Sequence, residues 1–132
     1  MIDEHVANEL IDMMERVVSQ DGTGKSAALA GYRVAGKTGT AWTAASGGYS
    51  TDRYKATFGG VVPASNPRLA AIVVIDEPGG RLYYGGDVAA PVFSNVMAGA
   101  LRLLGVPPDG LEQRGPDRSS KTTLAQADHG SQ

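Results

Sequence analysis

The chain has 132 residues, of which 42% are apolar and 20% charged, with a formal net charge of −2 and no cysteine. That length allows one small domain with a modest core. A charge near zero argues against a nucleic-acid binder held by phosphate contacts, and the lack of cysteine excludes a disulfide framework, a thiolate metal site and a Cys nucleophile. His5 and His129 stand at opposite ends of the chain, so neither a histidine metal site nor a Ser-His-Asp triad is expected. There is no apolar run of the roughly 18 residues a membrane-spanning helix needs, and the acidic start Met1-Ile2-Asp3-Glu4-His5 is unlike a signal peptide.

Apolar residues at Ile2, Val6, Leu10, Met13, Met14, Val17 and Val18 follow helical spacing and predict an amphipathic helix from Ile2 to Val18. Asp3 and Glu4 suit its first turn, where acidic groups complement the helix dipole, and Asp21-Gly22-Thr23-Gly24 ends it. Met13, Met14 and, further on, Met97 read as core, and His5 as surface. Gly31 to Thr43 reads as a strand in which Gly36 and Gly39 leave bare backbone. Ser46-Gly47-Gly48-Tyr49-Ser50 reads as a mobile loop. Tyr54 to Val62 is a second strand, stopped by Pro63, and Ala64-Ser65-Asn66-Pro67 connects it to a third. Leu69 to Ile75 is apolar without alternation, so burial on both faces is expected.

Glu77-Pro78-Gly79-Gly80 breaks that strand. Asp87 is the expected N-cap of a closing helix with Pro91 in its first turn. That helix presents Val88, Val92, Phe93, Val96, Met97, Ala100, Leu101 and Leu104, and Gly105 follows as the residue that ends it. The remainder is polar and proline-rich and cannot offset its own ordering entropy, giving an expected division into a domain at 1–106 and a disordered tail at 107–132. The fold expected is α+β: an antiparallel sheet of about three strands between N- and C-terminal helices. Two helices cover one face of such a sheet. A strand buried on both faces needs a second layer, expected from a partner chain or from the preceding part of the same gene.

Two motifs share one lysine. Gly31-Tyr32-Arg33-Val34-Ala35-Gly36-Lys37-Thr38 satisfies the phosphate-binding pattern G-x-x-x-x-G-K-[ST]. That motif needs a helix opening at the lysine, whereas Gly39-Thr40-Ala41-Trp42-Thr43 opens none. Lys37-Thr38-Gly39 is also the K-T-G signature of penicillin-recognising serine acyl-transferases. The stretch Val34-Ala35-Gly36-Lys37-Thr38-Gly39-Thr40-Ala41 resembles the signature strand of class B penicillin-binding proteins. Phe58-Gly59-Gly60-Val61-Val62-Pro63, Val73-Val74-Ile75-Asp76-Glu77-Pro78, Tyr83-Tyr84-Gly85-Gly86 and Ala90-Pro91-Val92-Phe93 follow in that family's order. The resemblance covers roughly residues 6 to 110 and is nearest to the septal D,D-transpeptidases that cross-link peptidoglycan.

The resemblance implies a partial penicillin-binding/β-lactamase-like fold with the K-T-G strand at its edge. It implies that Thr38 and Thr40 hold the carboxylate of a stem peptide ending in D-Ala-D-Ala, or of a β-lactam. Lys37 would supply positive potential and a hydrogen bond to the active-site serines, and the Thr40 N–H an oxyanion donor. Gly39 would let the substrate backbone approach, and Tyr83 and Tyr84 would form an apolar wall. Local charge agrees: residues 31–75 carry Arg33, Lys37, Arg53, Lys55 and Arg68 against Asp52 alone. Trp42 departs from the polar or basic residue common in the family and reads either as a surface residue or as one that reshapes the groove mouth. No serine begins Ser-x-x-Lys or Ser-x-Asn, so the chain is expected to be a C-terminal piece that is inactive alone and needs no cofactor. Its expected partners are the missing N-terminal part or a division partner, with no nucleic acid. The family would place it at the periplasmic face of the inner membrane. A non-catalytic module pairing through its uncovered sheet face, and a nucleotide binder, remain the alternatives.

Overall fold

Ala35–Ala45, Gly48–Val62 and Leu69–Asp76 form β1, β2 and β3, an antiparallel sheet in the order β1-β2-β3. This computed structural model describes residues 2–45 and 48–110. Helix α1 (Glu4–Val18) and a single 3-10 turn (Lys25–Ala27) precede the sheet, and α2 (Gly85–Val88) and α3 (Ala90–Leu103) follow it. The α+β architecture expected from periodicity is the one observed, with the K-T-G strand at one edge.

Register divides the side chains of the sheet into two sets. Thr38, Thr40 and Trp42 of β1 lie opposite Phe58, Ala56 and Tyr54 of β2, and Phe58 and Ala56 lie opposite Val73 and Ile75 of β3. This is the face covered by α3, which presents Phe93, Met97 and Leu101 at helical spacing, all buried. The rings of Phe58 and Phe93 meet at 4.9 Å with their planes tilted by 59°, and both are fully buried. Each such ring contributes about 1.5–3 kcal/mol of burial energy. Phe58 occupies a slot made by glycines: a Cβ at Gly36 would lie 2.3 Å from its Cζ, and one at Gly24 2.9 Å from its Cε2. The glycine before Lys37 therefore serves the core.

The opposite face carries Lys37, Gly39 and Ala41, then Lys55, Thr57 and Gly59, then Ile72, Val74 and Asp76. Burial on β3 alternates strictly. Ile72 is 77% and Val74 56% exposed, so among the described residues β3 is covered on one face, and the second layer, expected from outside this chain, would lie on the other. α3 covers one side of the sheet; on the other, α1 packs against β1 with Met14 beside Lys37 and leaves Ile72 and Val74 of β3 exposed. Helix α1 shows the same feature: Val18 enters the core, while Ile2, Val6, Leu10 and Met13 are exposed, against the expectation that Met13 is core.

Several boundaries differ from expectation for local reasons. Asp3 is the N-cap of α1, its carboxylate accepting the His5 N–H at 2.9 Å. Gly31 adopts φ +80 in a turn bridged by Leu29 and Tyr32, so β1 begins at Ala35 rather than Gly31. β2 begins at Gly48, its backbone pairing Ala45↔Gly48 and Ala44↔Tyr49, so Gly48-Tyr49-Ser50 is strand rather than loop. Ser46 and Gly47 lie outside the described residues. Asp87 sits inside α2, whose N-cap is Tyr84. α2 and α3 are separate because Pro91 has no N–H to give the Asp87 carbonyl.

Leu104 caps α3 and Gly105 follows at φ +62, as the glycine position predicts. The packed chain then continues to Gly110, whose N–H donates to Gly31 O at 2.9 Å. Asp109 receives the Arg33 N–H at 2.7 Å, the Ser65 hydroxyl at 2.7 Å and the Ser65 N–H at 3.2 Å. Burial pushes its carboxyl upward, but the bonds from Ser65 and the Arg33 N–H outweigh this and hold it below the ordinary value. The Arg33 guanidinium grips Glu15 with two bonds, at 2.8 and 2.7 Å. That pairing raises its pKa against the opposing effect of burial. Arg33 thus ties α1, the approach to β1 and the C-terminal segment together. The expected tail from residue 111 onward lies outside the described residues.

Candidate active site

Lys37, Thr38, Gly39 and Thr40 are consecutive residues of β1, and strand alternation sends them to opposite faces. Lys37 projects from the open face, beside a shallow groove of about 650 Å³ lined by Met14, Val61, Ala70 and Ile72. Its ammonium donates to the Thr38 carbonyl at 3.0 Å and has no carboxylate partner among the described residues. An ammonium without a counter-ion at an apolar groove is a source of positive potential for an incoming anion. Lys37 lies inside a strand that runs on to Ala45, so the helix that a phosphate-binding loop requires at its lysine is not formed.

Thr38 and Thr40 project from the other face. The Thr38 and Thr23 hydroxyls are 3.2 Å apart, and Thr40 Oγ1 accepts the Gly85 N–H at 3.2 Å. Gly85 is required there: a Cβ would lie 2.2 Å from Thr57 O and 2.6 Å from Gly39 O, both backbone atoms. The turn before α2 is therefore seated directly on β1 and β2. Gly39 is tight as well, since a Cβ would approach Thr57 Oγ1 to 2.3 Å.

Tyr83 and Tyr84 stand beside this turn, their hydroxyls 3.2 Å apart. That hydrogen bond first, then the neighbouring phenol's charge, burial and Asp87, raises the Tyr84 pKa. Tyr83 stacks on Tyr54 at 4.3 Å and 17°, and Tyr54 meets Trp42 at 4.6 Å.

The structure thus brings Thr38, Thr40, Tyr83 and Tyr84 together on one face, and places Lys37 and Gly39 on the other side of the same strand. Sequence reasoning missed Thr23 and Tyr54. Thr23 lay in a segment read only as a helix stop. Tyr54 was legible as a strand residue, yet its partner Tyr83 lies in a loop with no periodicity to link them. Among the described residues, no three His, Asp or Glu side chains gather as a metal site, and no helix is long and apolar enough to cross a membrane.

The K-T-G sequence thus stands on the edge strand of an antiparallel sheet, with Tyr83 and Tyr84 beside the turn seated on it. Residues 1–98 match the penicillin-binding protein transpeptidase domain family, and the chain belongs to it. It is 45% identical over 108 residues to the peptidoglycan D,D-transpeptidase FtsI of Escherichia coli K12, covering 82% of this chain and 18% of that protein. It is 43% identical over 111 residues to the probable peptidoglycan D,D-transpeptidase PbpC of Pseudomonas aeruginosa, covering 84% of this chain and 20% of the relative. The apo transpeptidase domain of Burkholderia pseudomallei penicillin-binding protein 3 superposes with a TM-score of 0.72 at 45% identity, over 80% of this chain and 32% of that one. The chain spans about a fifth of the length of these curated relatives.

Proposed function

We propose that this chain is the K-T-G-bearing part of a serine D,D-transpeptidase that cross-links peptidoglycan and is acylated by β-lactams. The observation that carries this reading is β1: an edge strand with an ammonium on one face, without a carboxylate partner among the described residues, and two hydroxyls on the other. An extended peptide adds to such an edge by backbone pairing. Thr38 and Thr40 then hold its terminal carboxylate and Lys37 supplies positive potential. The Thr40 N–H is an oxyanion donor, a contribution worth about 3–4 kcal/mol in comparable sites. Tyr83 and Tyr84 wall the site, and Gly39 admits the peptide backbone. A serine outside this chain attacks the penultimate D-Ala carbonyl: the Oγ–C bond forms, the peptide C–N bond breaks, and the terminal D-Ala leaves with the proton. The acyl group then passes to an acceptor amine.

Since no serine here begins Ser-x-x-Lys or Ser-x-Asn, the chain by itself does not acylate. The open face with Ile72 and Val74, and the exposed stripe of α1, are where the rest of the transpeptidase domain packs. With it, the assembly works at the periplasmic face of the bacterial inner membrane. A fluorescent penicillin should label the complete gene product at a serine outside residues 1–132 and leave this chain unlabelled. Labelling of the isolated chain would overturn the assignment.

The exposed apolar face also favours a second reading, a non-catalytic module that pairs through it. Light scattering separates the two. A stable homodimer disrupted by Ile72→Glu, with no penicillin labelling of the complete gene product, would establish the module.

A further inference from the structure

Trp42 is the outermost of four rings in contact. Its indole lies 4.6 Å from Tyr54 at 40°, Tyr54 stacks on Tyr83 at 4.3 Å and 17°, and Tyr83 meets Tyr84 at 4.4 Å and 32°. The first step is set by the sheet, because Trp42 and Tyr54 are paired residues of β1 and β2. The second step leaves the sheet and reaches the segment between β3 and α2. That segment has few other attachments. Among the described residues, Glu77 N–H reaches Tyr54 O at 2.9 Å, but residues 78–83 take part in no backbone–backbone hydrogen bond, and Leu82 is exposed. Ring stacking, together with the Tyr83 hydroxyl bond to Tyr84, holds Tyr83, and Trp42 closes the far side of that stack.

The two residues after Tyr83 connect this stack to the K-T-G strand. Tyr84 is the N-cap of α2, and the next N–H, that of Gly85, donates to Thr40 Oγ1 at 3.2 Å. A hydroxyl that accepts one hydrogen bond retains its own proton for another acceptor. The Gly85 bond therefore occupies one lone pair of the Thr40 hydroxyl and leaves its proton free to donate, the role that a carboxylate-binding threonine needs. We infer that Trp42 is a positioning residue: through Tyr54 and Tyr83 it holds the Tyr84–Gly85 turn against β1 and so orients the Thr40 hydroxyl toward an anionic ligand. The orienting role rests on contacts within this chain. Its use on a substrate carboxylate rests on the transpeptidase reading.

Native-state hydrogen exchange of the 132-residue chain, resolved by NMR, tests the coupling without any ligand. In Trp42→Ala the Gly85 amide should exchange faster by roughly three- to tenfold, the change that losing one ring pair produces. The amides of Phe58 and Leu101 should be unchanged, and Trp42→Phe should restore most of the Gly85 protection. If Trp42→Ala does not fold, Trp42→Leu carries the same comparison. Unchanged exchange at Gly85, or an equal acceleration at Gly85, Phe58 and Leu101, would overturn the inference. Because no substrate enters the measurement, its outcome is independent of the penicillin labelling that tests the transpeptidase reading. In the complete gene product, the same coupling predicts that Trp42→Ala raises KM more than it lowers kcat, and that Trp42→Phe leaves both near the parent values.

Discussion

Replacing Gly36 with alanine probes why a glycine must precede the lysine of the K-T-G strand. The new methyl carbon would lie 2.3 Å from Phe58 Cζ, 2.8 Å from Cε1 and 2.9 Å from the Gly59 carbonyl oxygen. Ordinary contact begins near 3.4 Å, so the ring would have to retreat by about an ångström in a close-packed interior. It has nowhere to go. Gly24 and Gly60 are pressed against the same ring, and Phe93 lies across it at 4.9 Å. Overpacking of this kind costs typically about 1–3 kcal/mol, and an immobile ring places Gly36→Ala at the upper end, near 3 kcal/mol. Urea titration followed by circular dichroism gives the value. A double-mutant cycle with Phe58→Leu assigns it: the smaller side chain should relieve the clash, with a coupling of about 1 kcal/mol or more. A Gly36→Ala chain within about 0.5 kcal/mol of the parent, the range of innocuous substitutions, would refute the packing argument. So would strict additivity in the cycle.

Asp109→Asn leaves an amide that cannot accept from both Arg33 and Ser65, and should cost about 1–2 kcal/mol at neutral pH. The Asp109 carboxyl titrates below its ordinary value when folded, so its stabilisation is present above the unfolded value of about 3.9 and is lost as pH falls through the folded one. The difference between parent and Asn chain in urea titrations should therefore shrink in acid, and a constant difference down to strong acid would refute the linkage. Gly99 lies within α3 with nothing within 4 Å of an added Cβ, so Gly99→Ala should stabilise the chain by about 0.5–1 kcal/mol through helix propensity, visible as a higher Tm. Ile72→Glu on the open face should move the urea midpoint by the equivalent of less than about 0.5 kcal/mol; a larger loss would mean that Ile72 packs within this chain.

Legibility followed periodicity. Helix α1 and the last helix were readable because apolar residues recur at helical spacing, and β3 because seven apolar residues run together between breakers. That same run implied cover on both faces, with the second layer expected from outside this chain. Apolar composition reports what a strand buries in its full surroundings, and among the described residues one of its faces is exposed. The start of β1 was misplaced because Tyr32 and Val34 favour strand, while Gly31 in a left-handed turn governs the backbone. The K-T-G residues were readable as a motif, and their division between two faces followed from alternation alone. Thr23 and Tyr54 were not readable, because their partners Thr38 and Tyr83 are distant in the chain and only tertiary packing brings them together.

The tie at Arg33 has a consequence for the order in which the protein is made. Its side chain closes on Glu15, 18 residues earlier, but its N–H waits for Asp109, 76 residues later. At a ribosomal pace of about 5–20 residues per second, that interval lasts roughly 4 to 15 s. During it the Glu15 partner of the Arg33 side chain has been made, while the opposite anchor has not yet been synthesised. The lysine-bearing strand is complete before its second anchor is made, so a truncation between Arg33 and Asp109 would keep the Glu15 partner and leave this mooring undone.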